Sequence, residues 1–369
     1  MAPDAVALGN LDTIVESAVA LLKQLQAALA EIHRDPTIVA AERDKTSTVD
    51  AVKLAYGSAS LVRAHSTKLS LLLINEPFTP SAIISVIREL CDGPLPGIAA
   101  ALEACHPDQY TTIFRKELAW RCKQVLVELT ELFAKVPKDG KSLAGSEQTD
   151  FKSGDKGSVA LTGLLWAACD SVIELTSQGA ATFFVKQVEE WRDTLKDVME
   201  ELKGWAEEEP VEDDAAGKDD YDADSGHEMG AQDMIDDMME SSSIPKSDPD
   251  KIRPRLEFAL KRLRLVTLLY QAVVKRRVKK LPALPVSEEN AGVPTRLEKA
   301  MAVLKVLPDH FGDLACAFYE LQPEEIDELM DTCFQEVLGV SELLGQGWDG
   351  GSDEFTEWNA KFRAEIQKD

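Results

Sequence analysis

Gly345-Gln-Gly347-Trp-Asp-Gly350 spells GxGxxG, the spacing by which glycines let backbone amides approach a pyrophosphate. That chemistry needs a strand before the glycines and a helix after them. Here the run follows a helical pattern, so it reads as a turn with a helix-stopping glycine. Glu103 and His106 stand three residues apart, which sets a carboxylate and an imidazole on one helical face, as in di-iron bundles. Such a site needs a second pair and two more glutamates. With Pro107 directly behind it, His106 reads instead as a helix-end residue. Asp222-Ala-Asp224-Ser-Gly226 begins like a calcium loop, but His227 stands where the sixth-position glycine belongs, so only weak, nonspecific cation association is expected. His33, His65 and His310 have no partner at ligand spacing. The cysteines at 91, 105, 122, 169, 316 and 333 form no CxxC pair and read as reduced thiols, those at 122 and 333 on apolar seams as small hydrophobes. No catalytic, cofactor-binding or metal set is expected.

The residues with the clearest chemistry are cations. Lys251 to Lys280 holds 11 basic residues against one glutamate. Projected as a helix, Lys261, Arg262, Arg264, Lys275, Arg276, Lys279 and Lys280 lie on one side, opposite Leu256, Leu260, Leu263, Tyr270 and Val274. Three readings stand side by side. The run is a solvated face with cations at a helix C-terminus; or Lys275-Arg276-Arg277-Val-Lys279-Lys280 is a nuclear import signal; or the patch holds an acidic partner.

The elements that carry these residues are helices. Apolar side chains recur at steps of four and three: Leu11, Val15, Ala18, Leu22, Leu25, Leu29 and Ile32; then Phe114, Leu118, Cys122, Val125, Leu129, Leu132 and Val136; then Leu161, Leu165, Ala168, Val172 and Leu175. Phe184, Val188, Trp191, Leu195, Val198, Leu202 and Trp205 form the most regular seam, with both tryptophans as core anchors. Further helices are expected over 49–74, over 81–105 with a kink or break at Gly93-Pro-Leu-Pro96, and over 254–278, 294–306, 324–344 and 352–366, with a short one at 312–319. No strand pattern is found, so the fold class is all-α, built from long helices packed at shallow angles.

Charge divides the chain. Residues 207–250 carry 17 acids against two lysines and few large aliphatics, too little apolar surface to fold, so they read as a disordered acidic linker. The expected order is an N-terminal helical bundle at 1–206, the linker at 207–250 and a C-terminal helical bundle at 251–369, each bundle built of long antiparallel helices. A formal net charge of -25 argues against direct nucleic-acid binding. The longest uncharged apolar stretch, Gly157 to Cys169, is shorter than a spanning helix needs, so no membrane association is expected. Sitting beside the cations in sequence, the linker is expected to fold back over them and compete with outside partners.

Leu165-Trp166-Ala-Ala168-Cys169, followed by Lys196-Asp197 and Glu200-Glu201 before the acidic linker, resembles the cyclin-D-binding protein family, also called GCIP-like or HHM-like. Thr112-Ile-Phe-Arg115-Lys116 is similar as well, and so is the order of parts. The resemblance implies an all-helical, non-enzymatic protein that binds cyclin-like or helix-loop-helix regulators, restrains proliferation and transcription, and occupies nucleus and cytoplasm. Its bundles would be like those of vinculin and talin, which leaves a cytoskeletal adaptor as the alternative function.

Overall fold

Asp50 opens a helix with its own carboxylate: Oδ1 accepts from the amides of Val52 and Lys53, both at 3.1 Å, and α2 runs over Ala51–Ile74. The computed structural model describes residues 5–39, 49–143, 157–207 and 243–368. Among these, every regular element is helical. The others are α1 (Ala5–Arg34), α3 (Pro80–Asp92), α4 (Pro94–Ala104), α5 (Pro107–Tyr110), α6 (Thr112–Ala134), α7 (Ser158–Ser177), α8 (Ala180–Ala206), α9 (Ile252–Arg276), α10 (Val293–Tyr319), α11 (Pro323–Leu343) and α12 (Glu354–Ile366).

Two compact units share the chain. One comprises Met1–Phe183 with Pro282–Glu298, the other Phe184–Leu281 with Lys299–Asp369. This division differs from the sequence-based bounds of 1–206 and 251–369: α8 from Phe184 onward belongs to the second unit, and only its first turn to the first. Phe183 meets Phe114 edge-on at 6.1 Å in the first, whereas Trp205 meets Tyr319 edge-on at 5.3 Å in the second. Residues 282–298 join the first unit, where the amide of Val286 donates to the Gln109 carbonyl at 3.2 Å and Glu298 accepts from the amide of Thr112.

In the first unit α1 packs on α6, α6 on α7 and α7 on α2, while α3 lies against both α2 and α1 and closes the ring. The seams read from sequence meet inside it: Leu11, Leu22 and Leu29, Leu118, Val125 and Leu129, Leu165 and Val172 are all buried. The inner face of α2 is built of small residues, Ala55, Ser58, Ala59 and Ser66 among them, which lets its neighbours approach closely. A Cβ on Gly97 of α4 would lie 2.4 Å from Ser58 Oγ, so a side chain there would force the Ser58 hydroxyl to turn away. The expected break at Gly93-Pro-Leu-Pro96 falls at Gly93, with Pro94 opening α4. By length and composition α1 and α7 could each cross a bilayer, but both pack on α6 with their seams inward.

The second unit sets α9 against α11 and α12, and α11 against α12. Here the sequence reading needs two corrections. Expected to break near Val306, α10 is one helix through Pro308. Leu304, Leu307, Phe311, Leu314 and Phe318 form an uninterrupted buried seam, and burial of five large side chains outweighs the roughly 3 kcal/mol that an interior proline costs. The acidic stretch also ends earlier than expected. Residues 208–242 lie outside the described residues, but Ile244 is buried, its carbonyl accepts from Arg253 Nη2 at 3.2 Å, and Asp248 accepts from the amides of Ile252 and Arg253 at 2.6 and 3.0 Å. Residues 243–250 thus form the lead-in to α9.

Candidate interaction surface

The cations of α9 divide into those that hold the unit together and those that face solvent. Arg277, expected in the basic patch, is the largest correction: it is 1% exposed. Its five N–H donors meet five acceptors, Nε the Leu344 carbonyl at 2.7 Å, Nη1 the Arg276 carbonyl at 3.0 Å and Asp353 Oδ2 at 2.7 Å, Nη2 the Gly345 carbonyl at 3.3 Å and Asp353 Oδ1 at 2.9 Å. Its guanidinium also stands 4.3 Å from the ring centroid of Phe355. One side chain therefore ties together the ends of α9 and α11 and the N-cap of α12. The Asp353 carboxyl is held well below the usual carboxylate range, chiefly by the hydrogen bonds from Arg277, against the opposing effect of burial.

That arrangement accounts for the glycine run. Gly345 to Gly351 is the loop that Arg277 clamps between α11 and α12. Within it the amide of Gly347 donates to Gly351 O at 2.8 Å, that of Gly350 to Gly347 O at 3.1 Å and that of Gly351 to Asp349 Oδ1 at 3.0 Å. Gly350 has φ +80°. The amides that a pyrophosphate would need are spent inside the turn. His106, likewise, caps α5 by accepting from the amide of Asp108 at 3.3 Å. No cluster of three or more His, Cys, Asp or Glu able to hold a metal occurs among the described residues. Asp222, Asp224 and His227 lie outside them.

The other α9 cations sort by exposure. Arg255 pairs with Asp327 of α11 through two bonds of 2.8 and 2.7 Å, which lowers the Asp327 carboxyl and raises the Arg255 guanidinium. Arg262 is half-buried over Phe258, 3.9 Å from its centroid. Arg276 is half-buried and donates to the Glu354 carbonyl at 3.0 Å. Lys261, Arg264, Lys275, Lys279 and Lys280 are exposed. Lys279 and Lys280 belong to a short 3-10 turn, Val278–Lys280, whose Val278 is buried. The basic run is thus folded as helix, buried arginine and 3-10 turn, not offered as an extended peptide.

A second surface, which the sequence reading missed, lies on α2. That helix holds Lys53, Arg63, His65 and Lys68 and no acid. Its outer side carries Tyr56, Leu61 and Leu71 at 45%, 50% and 50% exposure. Leu61, Ala64, Lys68 and Leu71 follow one another at helical spacing, and a cavity of about 450 Å³ lies beside the last turns, lined by Ala64, Thr67, Leu71, Asn75 and Pro77. Ion pairs steady its flanks, Arg63 with Asp170 at 2.8 Å and Lys68 with Glu89 at 3.3 Å, and Trp166 Nε1 donates to Thr67 Oγ1 at 3.1 Å. The apolar excess on the outer face was the available signal, hidden by the stronger seam of buried small residues on the other side.

Residues 56–208 match the family model described as Grap2 and cyclin-D-interacting, N-terminal. An uncharacterized protein of Schizosaccharomyces pombe is 22% identical over 305 residues, covering 82% of this chain and 80% of its own length. No solved structure matches the chain.

Proposed function

We propose that this GCIP-like chain is a non-enzymatic regulatory protein that binds cyclin-like or helix-loop-helix regulators in nucleus and cytoplasm. The observation that carries the reading is the match of residues 56–208 to a family described as cyclin-D-interacting. The matched stretch includes nearly all of α2. An outer helix face with large apolar side chains half exposed between lysines is a suitable seat for a partner helix, which buries its own apolar stripe there. We take Leu61 and Leu71 as the anchors of that contact. Its apolar side chains give the affinity, with the Lys53–Asp50 and Lys68–Glu89 ion pairs at its edge.

The experiment is capture of a purified D-type cyclin, or of a helix-loop-helix regulator, by the full chain and by a Leu61→Asp, Leu71→Asp double variant. Both positions are half exposed, so the fold survives the change. Capture by the native chain and its loss in the variant is the expected result. Failure to capture either class, together with co-sedimentation on actin filaments, would replace the reading with that of a cytoskeletal adaptor.

A further inference from the structure

We infer that the outer stripe of α9 is a docking surface for an acidic amphipathic helix of a partner protein, with Leu268 as its apolar anchor. The inference deepens the interaction reading above and rests on it.

Lys261, Arg264, Leu268 and Lys275 project from the same side of α9, at steps of three, four and seven residues. Leu268 is 42% exposed in their midst. The stripe is about 21 Å long at the helical rise, the length of about four turns of a partner helix. Its cations stand out in a chain of net charge -25. Arg255 and Arg277 of the same segment each hold a bidentate carboxylate, and Glu365 of α12, its carboxyl lowered chiefly by the hydrogen bond from Lys368, also feels the charge of nearby Lys261. Arg264, Lys275, Lys279 and Lys280 have no ion pair among the described residues. With so many acids available, an unneutralised row of cations around an exposed leucine is a surface left open to a negative ligand.

The form of the stripe selects the ligand class. It is one helix wide and bordered by acids, Glu257 at its head and Glu365 beside Lys261. A nucleic acid or an anionic bilayer spreads negative charge over an area larger than the stripe and meets those borders, as well as the charge of the whole chain. An acidic amphipathic helix presents few charges along one line and an apolar ridge for Leu268. The packing around Arg277 keeps the last turn of α9 folded, so the stripe is rigid before a partner arrives.

The test uses the full chain and a labelled peptide of about 15 residues, with leucines at helical spacing on one face and glutamates on the other. Three controls accompany it: the same peptide with lysine for glutamate, a single-stranded oligonucleotide, and phosphatidylserine-containing vesicles. The acidic peptide binds, and binding weakens on the order of tenfold in a Lys261→Glu, Arg264→Glu, Lys275→Glu variant and again on raising salt from about 0.05 to 0.5 M. Leu268→Asp weakens it independently. The substituted side chains are exposed, and an unchanged melting curve confirms that the variants fold.

Tighter binding of the oligonucleotide or the vesicles would overturn the inference, as would acidic-peptide binding indifferent to these substitutions or no binding at all. If the peptide binds only after the acids of residues 208–242 are changed to amides, the face belongs to this chain's own segment, and the partner as occupant is overturned. Self-association lost in the charge-reversed variant would assign the face to a second copy and likewise overturn the partner as occupant. A chain that captures its regulator through Leu61 and Leu71 yet ignores the acidic peptide leaves the proposed function standing and ends this inference alone.

Discussion

Replacing Arg277 by methionine tests the packing logic of the second unit in one step. Methionine fills much of the same volume but removes all five donors. The losses are unequal. Gly345 O keeps its bond from Thr356 Oγ1 at 2.7 Å, and the Asp353 side chain, 31% exposed, can turn toward water. The Leu344 carbonyl loses its guanidinium partner. Breaking a buried ion pair from one side costs about 3–5 kcal/mol, and the partial rescue of Asp353 places this case near 3 kcal/mol. At about 2–4 °C per kcal/mol for a unit of this size, the melting midpoint falls by ~6–12 °C. Arg277→Lys keeps the charge but not the fork, and costs roughly half as much.

The assay is thermal unfolding combined with hydrogen exchange read by mass spectrometry, because a chain with two units need not unfold in a single step. Faster exchange should be concentrated in 341–366, where α11, the glycine loop and α12 meet Arg277. The pH dependence follows from Asp353, whose folded carboxyl titrates below its unfolded value. Its stabilisation is complete above the unfolded pKa of about 3.9 and is lost as pH falls from there toward the folded value. Asp353→Asn therefore flattens that acid limb. A methionine variant within about 0.5 kcal/mol of the native chain, with unchanged exchange in 341–366, would show that Arg277 is no clamp.

Other expectations follow from the same geometry. In a double-mutant cycle Arg255→Ala and Asp327→Ala should couple by about 1 kcal/mol or less, and the coupling should shrink in high salt, since Asp327 is half exposed; a salt-independent coupling of several kcal/mol would contradict this. Gly350→Ala forces a side chain onto φ +80° and should cost roughly 1–2 kcal/mol, measured by urea unfolding, while NAD and ATP leave the native midpoint unmoved. Alkylation of the native protein at mildly alkaline pH should label exposed Cys316 first. Burial pushes the thiols of Cys105, Cys169 and Cys333 up to about 12 and raises Cys122 as well, so peptide mapping should find these four unmodified until the chain is denatured.

The helices were legible because burial imposes a period. Leu11, Leu22 and Leu29, or Leu165 and Val172, announce one face of a helix without any knowledge of its partner. The break at Gly93 was legible because proline and glycine act locally. What escaped was set by distant contacts. Pro308 signals a stop, yet the buried seam from Leu304 to Phe318 carries the helix through it. Arg277 looks like one more cation in a basic run, and its burial follows from carbonyls and a carboxylate 67 to 76 residues away along the chain. The assignment of α8 was illegible for a similar reason: its even seam from Phe184 to Trp205 does not show that it belongs to the second unit and not to the helices that precede it in sequence.

The sharpest check on the proposed function is titration of a purified D-type cyclin onto the immobilised full chain, with the Leu61→Asp, Leu71→Asp variant as the comparison. Saturable binding by the native chain is expected, reduced at least about tenfold in the variant at an unchanged melting midpoint. Saturable binding of equal strength by both chains, or none by either, would contradict it.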